Sequence, residues 1–434
     1  MTGLELGSIS LLVMIVLIYM GMHVAIALAS VSFVALWLYK GNVMLALSLS
    51  TLVTKDAIAS YSFGVVPLFV LMGMFVNEAG LGRDIYTVAH SAFRKLNGGL
   101  GIATVAANAV FAAITGISIA SAAIFTRIAV PEMMRYGHTA RFSVGVVAGS
   151  SVLGMLIPPS VLLIVYGLIA EVSIADMFTA GILPGLVLAA LYCIVILAMC
   201  RFMPGFTGQA RVADDQPGLG LLASLRLLGP AILLIVLVLG GIYGGVFTPT
   251  EAGAAGAFAA MVIAAAKRRL SPRVLWRLAS DTGRVTAAIL FLIIAASMYS
   301  RMLGVLGIPS LLAEKLNGME AGFAIVLLIY VALMIFLGTI LDSTSIILLL
   351  VPLFIPAFAT YDVNLVWLGV VTVIGVEIGL LTPPLGIACF VIKGALEDKS
   401  IGLKTIFVGA LPFALTMGLA LLIVILFPAL TLSN

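Results

Sequence analysis

Apolar residues run along this chain in blocks of membrane length, and polar residues fall mostly in the short gaps between them. Residues 4–20 and 22–39 read as two spans parted by Gly21. Residues 42–62 carry Lys55, Asp56 and many hydroxyls, which predicts an interfacial helix instead of a crossing. A third span opens at Pro67 and ends near Gly80, followed by a charged connector with Arg83, Asp84, Arg94 and Lys95. The stretch 98–131 is apolar but interrupted at its centre by ITGISIAS (114–121), leaving arms of about 16 residues. A full crossing needs ~20 residues. A re-entrant hairpin is therefore expected, with its tip at Thr115–Ser121 and its second arm ending at Pro131. Residues 142–170 predict a broken helix, because Pro158 and Pro159 lack backbone N–H groups and disfavour helix at Ile157, and Gly154 loosens the turn before them. Glu171–Thr179 reads as an amphipathic surface helix and 182–200 as a clean span.

The second half repeats this plan. Adding 225 carries Phe111 onto Phe336, Ser118 onto Ser343, Pro131 onto Pro356, Gly154 onto Gly379 and Pro158–Pro159 onto Pro383–Pro384. Nearby offsets match Gly181–Pro184 with Gly409–Pro412 (228) and Leu96–Gly98 with Leu316–Gly318 (220). A collinear series of this kind marks an internal repeat. The expected organisation is a first repeat at 1–200, a cytoplasmic linker at 201–228 and a second repeat at 229–434. Spans 229–243, 248–266 and 285–300 precede a hairpin at 320–356 with its tip at LGTILDSTS (337–345), a broken helix at 365–394 and a last span at 405–428. The basic stretch 267–284 predicts an amphipathic arm on the membrane surface.

Charge sets the orientation. Loops 81–98, 131–141, 201–228, 267–284 and 393–404 are rich in Lys and Arg and are placed in the cytoplasm, whereas 171–180, 246–251 and 357–364 carry only acids and fall outside. Alternation then makes the halves inverted repeats, with both termini external. The fold class expected is an all-α polytopic membrane protein. Composition agrees: 63% of residues are hydrophobic and 9% charged, against roughly 25% charged in soluble domains. No basic segment precedes the first apolar run, so no cleavable signal peptide is expected. The net charge of +4 is accounted for by cytoplasmic loops and implies no nucleic-acid partner. Cys193, Cys200 and Cys389 are isolated, and no HExxH, GxSxG, Ser/Lys dyad or P-loop is present, so neither catalysis nor ATP use is expected.

Unwound backbone at membrane depth is tolerated where it lines a cavity, and secondary transporters build midplane sites from it. Near the first tip and break lie Thr115, Ser118, Ser121, the backbone of Gly154, Ile157 and Pro158, then Pro159 and Ser160. The second set is Thr339, Asp342, Ser343, Thr344, Ser345, Gly379, Thr382 and Pro384. Carbonyls and hydroxyls with little formal charge suit Na⁺ better than a divalent ion. Helix N-termini facing the same space suit an anionic substrate. Any one of these hydroxyls could instead bond a carbonyl of its own helix. Asp342 and Glu377 stand out, since acids at bilayer depth usually face a site. Arg127 reads as an interfacial anchor.

The chain resembles the large membrane subunit of tripartite ATP-independent periplasmic (TRAP) transporters, of the ion-transporter superfamily. The resemblance rests on PLFVLMGMFV (67–76), TGISIASAAIF (115–125), GMLIPPSVLLIVYGLIAEVSIADMFTAGILPG (154–185), GGVFTPTEAGAAGA (244–257) and EIGLLTPPLGIACFVIKG (377–394). It implies an elevator-type transporter in the bacterial inner membrane that imports an organic acid with Na⁺ at two sites. It also implies a small four-helix membrane subunit and a periplasmic binding protein as partners. Carried onto the matching tips and breaks, the Na⁺ ligands would come from Ser118, Ser121, Gly154, Ile157, Pro158, Ser343, Thr344, Ser345, Gly379 and Thr382. Substrate contacts would come from Thr115, Ser118, Pro159, Ser160, Asp342, Ser343 and Pro384. The first tip departs from the family's Gly/Ser-rich pattern at Ile117 and Ile119. Two alternatives remain open at this point: a stand-alone Na⁺/dicarboxylate symporter of the same superfamily, and, disfavoured, an intramembrane enzyme.

Overall fold

A computed structural model describes residues 2–59, 61–208, 218–311, 314 and 322–431. Arg211, Asp214, Asp215, Lys315, the Leu316–Gly318 match and the first two residues of the second hairpin (320–321) lie outside the described residues. Helices make up nearly all of what is described. The first half contains α1 (Gly3–Tyr19), α2 (Val24–Lys40), α3 (Val43–Ala59), α4 (Val65–Glu78), α5 (Leu81–Phe93), α6 (Gly99–Thr115), α7 (Ser118–Arg135), α8 (Ala140–Ser151), α9 (Leu153–Leu156), α10 (Val161–Ile169), α11 (Ile174–Phe202) and α12 (Pro204–Thr207). The second half contains α13 (Leu221–Ile235), extended through a π-turn into α14 (Gly241–Tyr243), then α15 (Pro249–Ala266), α16 (Pro272–Leu306), α17 (Phe323–Gly338), α18 (Ser343–Ala359), α19 (Leu365–Leu380), α20 (Ile387–Ala395) and α21 (Leu403–Leu426).

Among the described residues, α6 turns into α7 and α17 into α18 at the two expected tips, and helices end at both proline pairs. The four hairpin arms α6, α7, α17 and α18 have 17, 18, 16 and 17 residues. At 1.5 Å per residue each is about 25 Å long, short of a ~30 Å hydrocarbon core. Each proline pair stops a helix: α8–α9 bends by 43° into α10 across residues 157–160, and α19 ends at Leu380 ahead of Pro383–Pro384. Both Pro–Pro peptides are cis.

Other boundaries differ from the sequence expectation. Helix α7 continues through Pro131 to Arg135, because one lost backbone bond is outweighed by the packing of Val130 and Met133, which are fully buried. The segment expected as a charged connector holds the 13-residue helix α5, set at 63° to α4, with Leu81, Ile85 and Tyr86 buried. The surface helix expected at 171–179 and the span at 182–200 are one helix of 29 residues, capped by Ser173. Gly181 and Gly185 lay that helix against the Leu156 carbonyl and Ile157, so contact with the first break carries it through Pro184. The basic arm likewise runs without interruption into the following span as the 35-residue α16.

The halves interlock by matching contacts. Within each half the first hairpin arm packs on the helix before the break: α6 on α8 and α9, α17 on α19. Between halves the helix after each break packs on the second hairpin arm of the other half: α10 on α18, α20 on α7. The last helices α11 and α21 cross both broken helices and each other. Outside this block, α16 lies along α2 and α4 pairs with α15. Small residues and backbone contact, more than apolar burial, hold helices together in lipid.

Candidate functional site

Each tip is tied to its own break by one backbone hydrogen bond. In the first half the Val161 N–H donates to the Gly116 carbonyl at 3.2 Å, and in the second the Leu385 N–H donates to the Thr339 carbonyl at 3.1 Å. These donors are the second N–H group beyond Pro159 and the first beyond Pro384, and without a kinked chain neither could point sideways at a neighbouring tip. Gly116 has a φ of +62° and sits so close to the Pro159 carbonyl that a side chain there would strike it. At the second site Gly338 and Gly379 touch backbone to backbone, closing α17 on α19.

A second matched bond lies about two turns deeper. Asn108 Nδ2 donates to Ser150 Oγ at 2.7 Å, and the Tyr330 and Thr372 hydroxyls bond at 2.9 Å. Both join a first hairpin arm to a pre-break helix, and both partners are displaced by 222 residues between halves (330 − 108 and 372 − 150). Sequence reading missed these pairs because Asn and Tyr, or Ser and Thr, do not align as identical letters.

The predicted ligands divide by what their polar groups already do. Thr115 bonds the Phe111 carbonyl of its own helix at 2.9 Å, and Thr382, just past the end of α19, bonds the Ile378 carbonyl at 2.8 Å, leaving only lone pairs for a ligand. Ser160 caps α10, accepting from the Leu163 N–H at 3.3 Å and donating to the Met155 carbonyl. Asp342 caps α18: its carboxylate accepts from the Ser345 N–H at 3.1 Å and from the Ser345 hydroxyl. Ser343 donates to Glu377 Oε1 at 2.8 Å. By contrast, Ser121 Oγ is buried with no partner, and no hydrogen bond of the Ser118 or Thr344 hydroxyl is found among the described residues. Gly154 packs against the Ile117–Ser118 backbone, so break and tip face each other directly.

Exposure is unequal. Residues 157–160 at the first break are all buried, whereas Pro383, Pro384 and Leu385 at the second are exposed. None of the described cavities is lined by the tips. A polar one lies between α4, α5, α7 and the arm, with Arg83, Arg127 and Arg269, and another lies around Glu171 and Thr248.

Residues 11–430 match the family model described as "Tripartite ATP-independent periplasmic transporter, DctM component". The chain is 34% identical over 378 residues to the C4-dicarboxylate TRAP transporter large permease protein DctM of Pseudomonas aeruginosa, covering 86% of both chains. It is 29% identical to the sialic acid TRAP transporter large permease protein SiaM of Vibrio cholerae, again over 86% of each. It is 30% identical to the isethionate TRAP transporter permease protein DctMQ of Oleidesulfovibrio alaskensis, covering 86% of this chain and 58% of that one. Among solved structures the fold is similar to the YdaH transporter of Alcanivorax borkumensis, with a TM-score of 0.60, 15% identity and coverage of 84% and 86%. It is also similar to MtrF of Neisseria gonorrhoeae, with a TM-score of 0.61, 13% identity and coverage of 90% and 85%.

Proposed function

Since the chain belongs to the DctM family of TRAP transporter large membrane subunits, we propose that it imports an organic acid across the bacterial inner membrane, driven by Na⁺ and without ATP. The observation that carries this reading is the pair of tip–break sites, each an unwound segment strapped to a hairpin end. The relatives are named for a C4-dicarboxylate, sialic acid and isethionate, whose common feature is a carboxylate or sulfonate on a small polar skeleton. An organic anion of this class is the substrate. A small four-helix subunit and a periplasmic binding protein complete the transporter, and the DctMQ name of one relative is consistent with such a pairing.

Two Na⁺ ions are assigned to the oxygens of Ser118, Ser121, Gly154, Ile157 and Pro158, and of Ser343, Thr344, Ser345, Gly379 and Thr382. The substrate anion is assigned to the space bounded by Thr115, Ser118, Pro159, Ser160, Asp342, Ser343 and Pro384. Hairpin arms too short to cross, together with the loop charges, support inverted repeats with both termini on the periplasmic face. The block of hairpins and broken helices then moves as an elevator against α1–α4, α15 and α16. The test is reconstitution with and without the two partners. Accumulation of radiolabelled succinate or sialic acid is expected only when the large subunit, the small subunit and the binding protein are all present. Equal uptake by the large subunit alone would overturn the tripartite reading.

A further inference from the structure

The repeat is broken at one position that matters chemically. Adding 225 to Val152 gives Glu377, so the contact between Ser343 and Glu377 has only a valine to match it beside Ser118. Glu377 is 1% exposed and Ser343 4% exposed. Oε1 of the acid accepts the serine's proton, and Oε2 has no partner.

A serine hydroxyl has a single proton. While its O–H is donated in the hydrogen bond to Glu377, Ser343 Oγ can only accept further bonds. It can face a cation, and it borders the substrate space without donating to a substrate carboxylate. The N-terminus of α18 is already occupied by the Asp342 carboxylate, which removes its attraction for an anion. The first tip is built the opposite way: α7 starts at Ser118 behind Ile117, which supplies no side-chain cap, and Ser121 Oγ is buried and unpartnered.

Glu377 itself lacks a fixed counter-charge. The helices packed on α19 are α9, α10, α11, α17, α18, α20 and α21. Their cations are Lys393, bonded to the carbonyls of Lys399 and Ile401, and Arg201 and Lys404 at exposed helix ends. The tyrosines are Tyr166, bonded to the Leu365 carbonyl, Tyr330, bonded to Thr372, and Tyr192, buried without a partner and within electrostatic reach of Glu377. Cys389 and Asp342 complete the set, with Asp176 and the cysteines of α11 further along that helix. A buried carboxylate with one hydrogen bond and no fixed cation is costly. A mobile cation at the same place relieves that cost.

We propose that Glu377 is a positioning residue that fixes Ser343 as an acceptor and makes the second tip the tighter cation-binding end of the site. This rests on the Na⁺-coupled reading above. The test uses the full chain in detergent, with Na⁺ alone as the probe against a K⁺ background. The thermal midpoint of the wild type is expected to rise with Na⁺, as binding to the folded state requires. Glu377→Gln is expected to raise the half-saturating Na⁺ concentration about tenfold or more. Glu377→Asp should recover part of that loss. Because Glu377 acts through Ser343, Glu377→Gln added to Ser343→Ala should produce little further shift. Wild-type half-saturation in Glu377→Gln, or full additivity in the double variant, overturns the proposal while leaving Na⁺ coupling intact. No Na⁺-specific rise in the wild type itself would instead overturn the coupling and this proposal together.

Discussion

A methyl group at position 379 would occupy space that the Gly338 backbone already fills, because the two residues touch main chain to main chain. Gly379→Ala is therefore expected to hold the second hairpin off its break and abolish uptake. Gly394→Ala, where nothing lies within 4 Å, is expected to leave uptake unchanged, so the pair separates close packing from general glycine loss. Asp342→Ala removes the only side-chain cap of α18. Loss of such a cap costs about 1 kcal/mol, so a modest fall in thermal midpoint is expected together with reduced uptake at normal membrane insertion. His138, in the loop between α7 and α8, donates through Nδ1–H to the Thr207 carbonyl at 3.0 Å, and its burial holds its pKa below histidine's ordinary 6.5. The unfolded chain then binds the proton first as pH falls, so the stabilisation is full above 6.5 and is lost on acidification below it. Thermal midpoints measured from pH 8 downwards should drop less steeply in His138→Gln than in the wild type.

At the scale of elements, what the residues disclosed depended on whether a local rule acted alone. Double prolines override everything nearby, so both breaks were legible to within a residue or two. The turns between α6 and α7 and between α17 and α18 were legible from the length of the apolar arms. Single prolines were not decisive: Pro131 and Pro184 lie inside continuous helices, because neighbouring contacts compensate for one missing bond. Helix α5 was hidden by its charges, which line one face while Leu81, Ile85 and Tyr86 are buried on the other. The basic arm is fastened by ion pairs that no pattern could foretell, Lys267 with Asp84 and Arg277 with Glu78. All four side chains keep 22–56% exposure, so solvent screening limits each pair to below about 1 kcal/mol. Replacing Glu78 and Asp84 by Gln and Asn is expected to lower the thermal midpoint slightly at low salt and hardly at all at high salt. A large drop independent of salt would assign the arm a packing role instead.

For the molecule as a whole, the repeat was readable because glycine, proline and serine at the tips and breaks recur as identical letters. Its asymmetry was not. Glu377 stood out as an acid at membrane depth, but only the fold shows that it meets Ser343 and has no fixed counter-ion. Likewise Asp342 and Ser160 look like ligands in sequence, and in the fold they cap the helices that begin at the second tip and after the first break. The central claim is that two tip–break pairs, one in each half, together couple Na⁺ to the movement of an organic anion. It is tested most directly in proteoliposomes holding the complete transporter, with substrate-loaded binding protein outside and an inward gradient of either Na⁺ or K⁺. Accumulation of labelled organic acid is expected with Na⁺ only, and Ser343→Ala should cut it severely without loss of membrane insertion. Equal accumulation under the K⁺ gradient, or undiminished Na⁺-dependent uptake in Ser343→Ala, would contradict it.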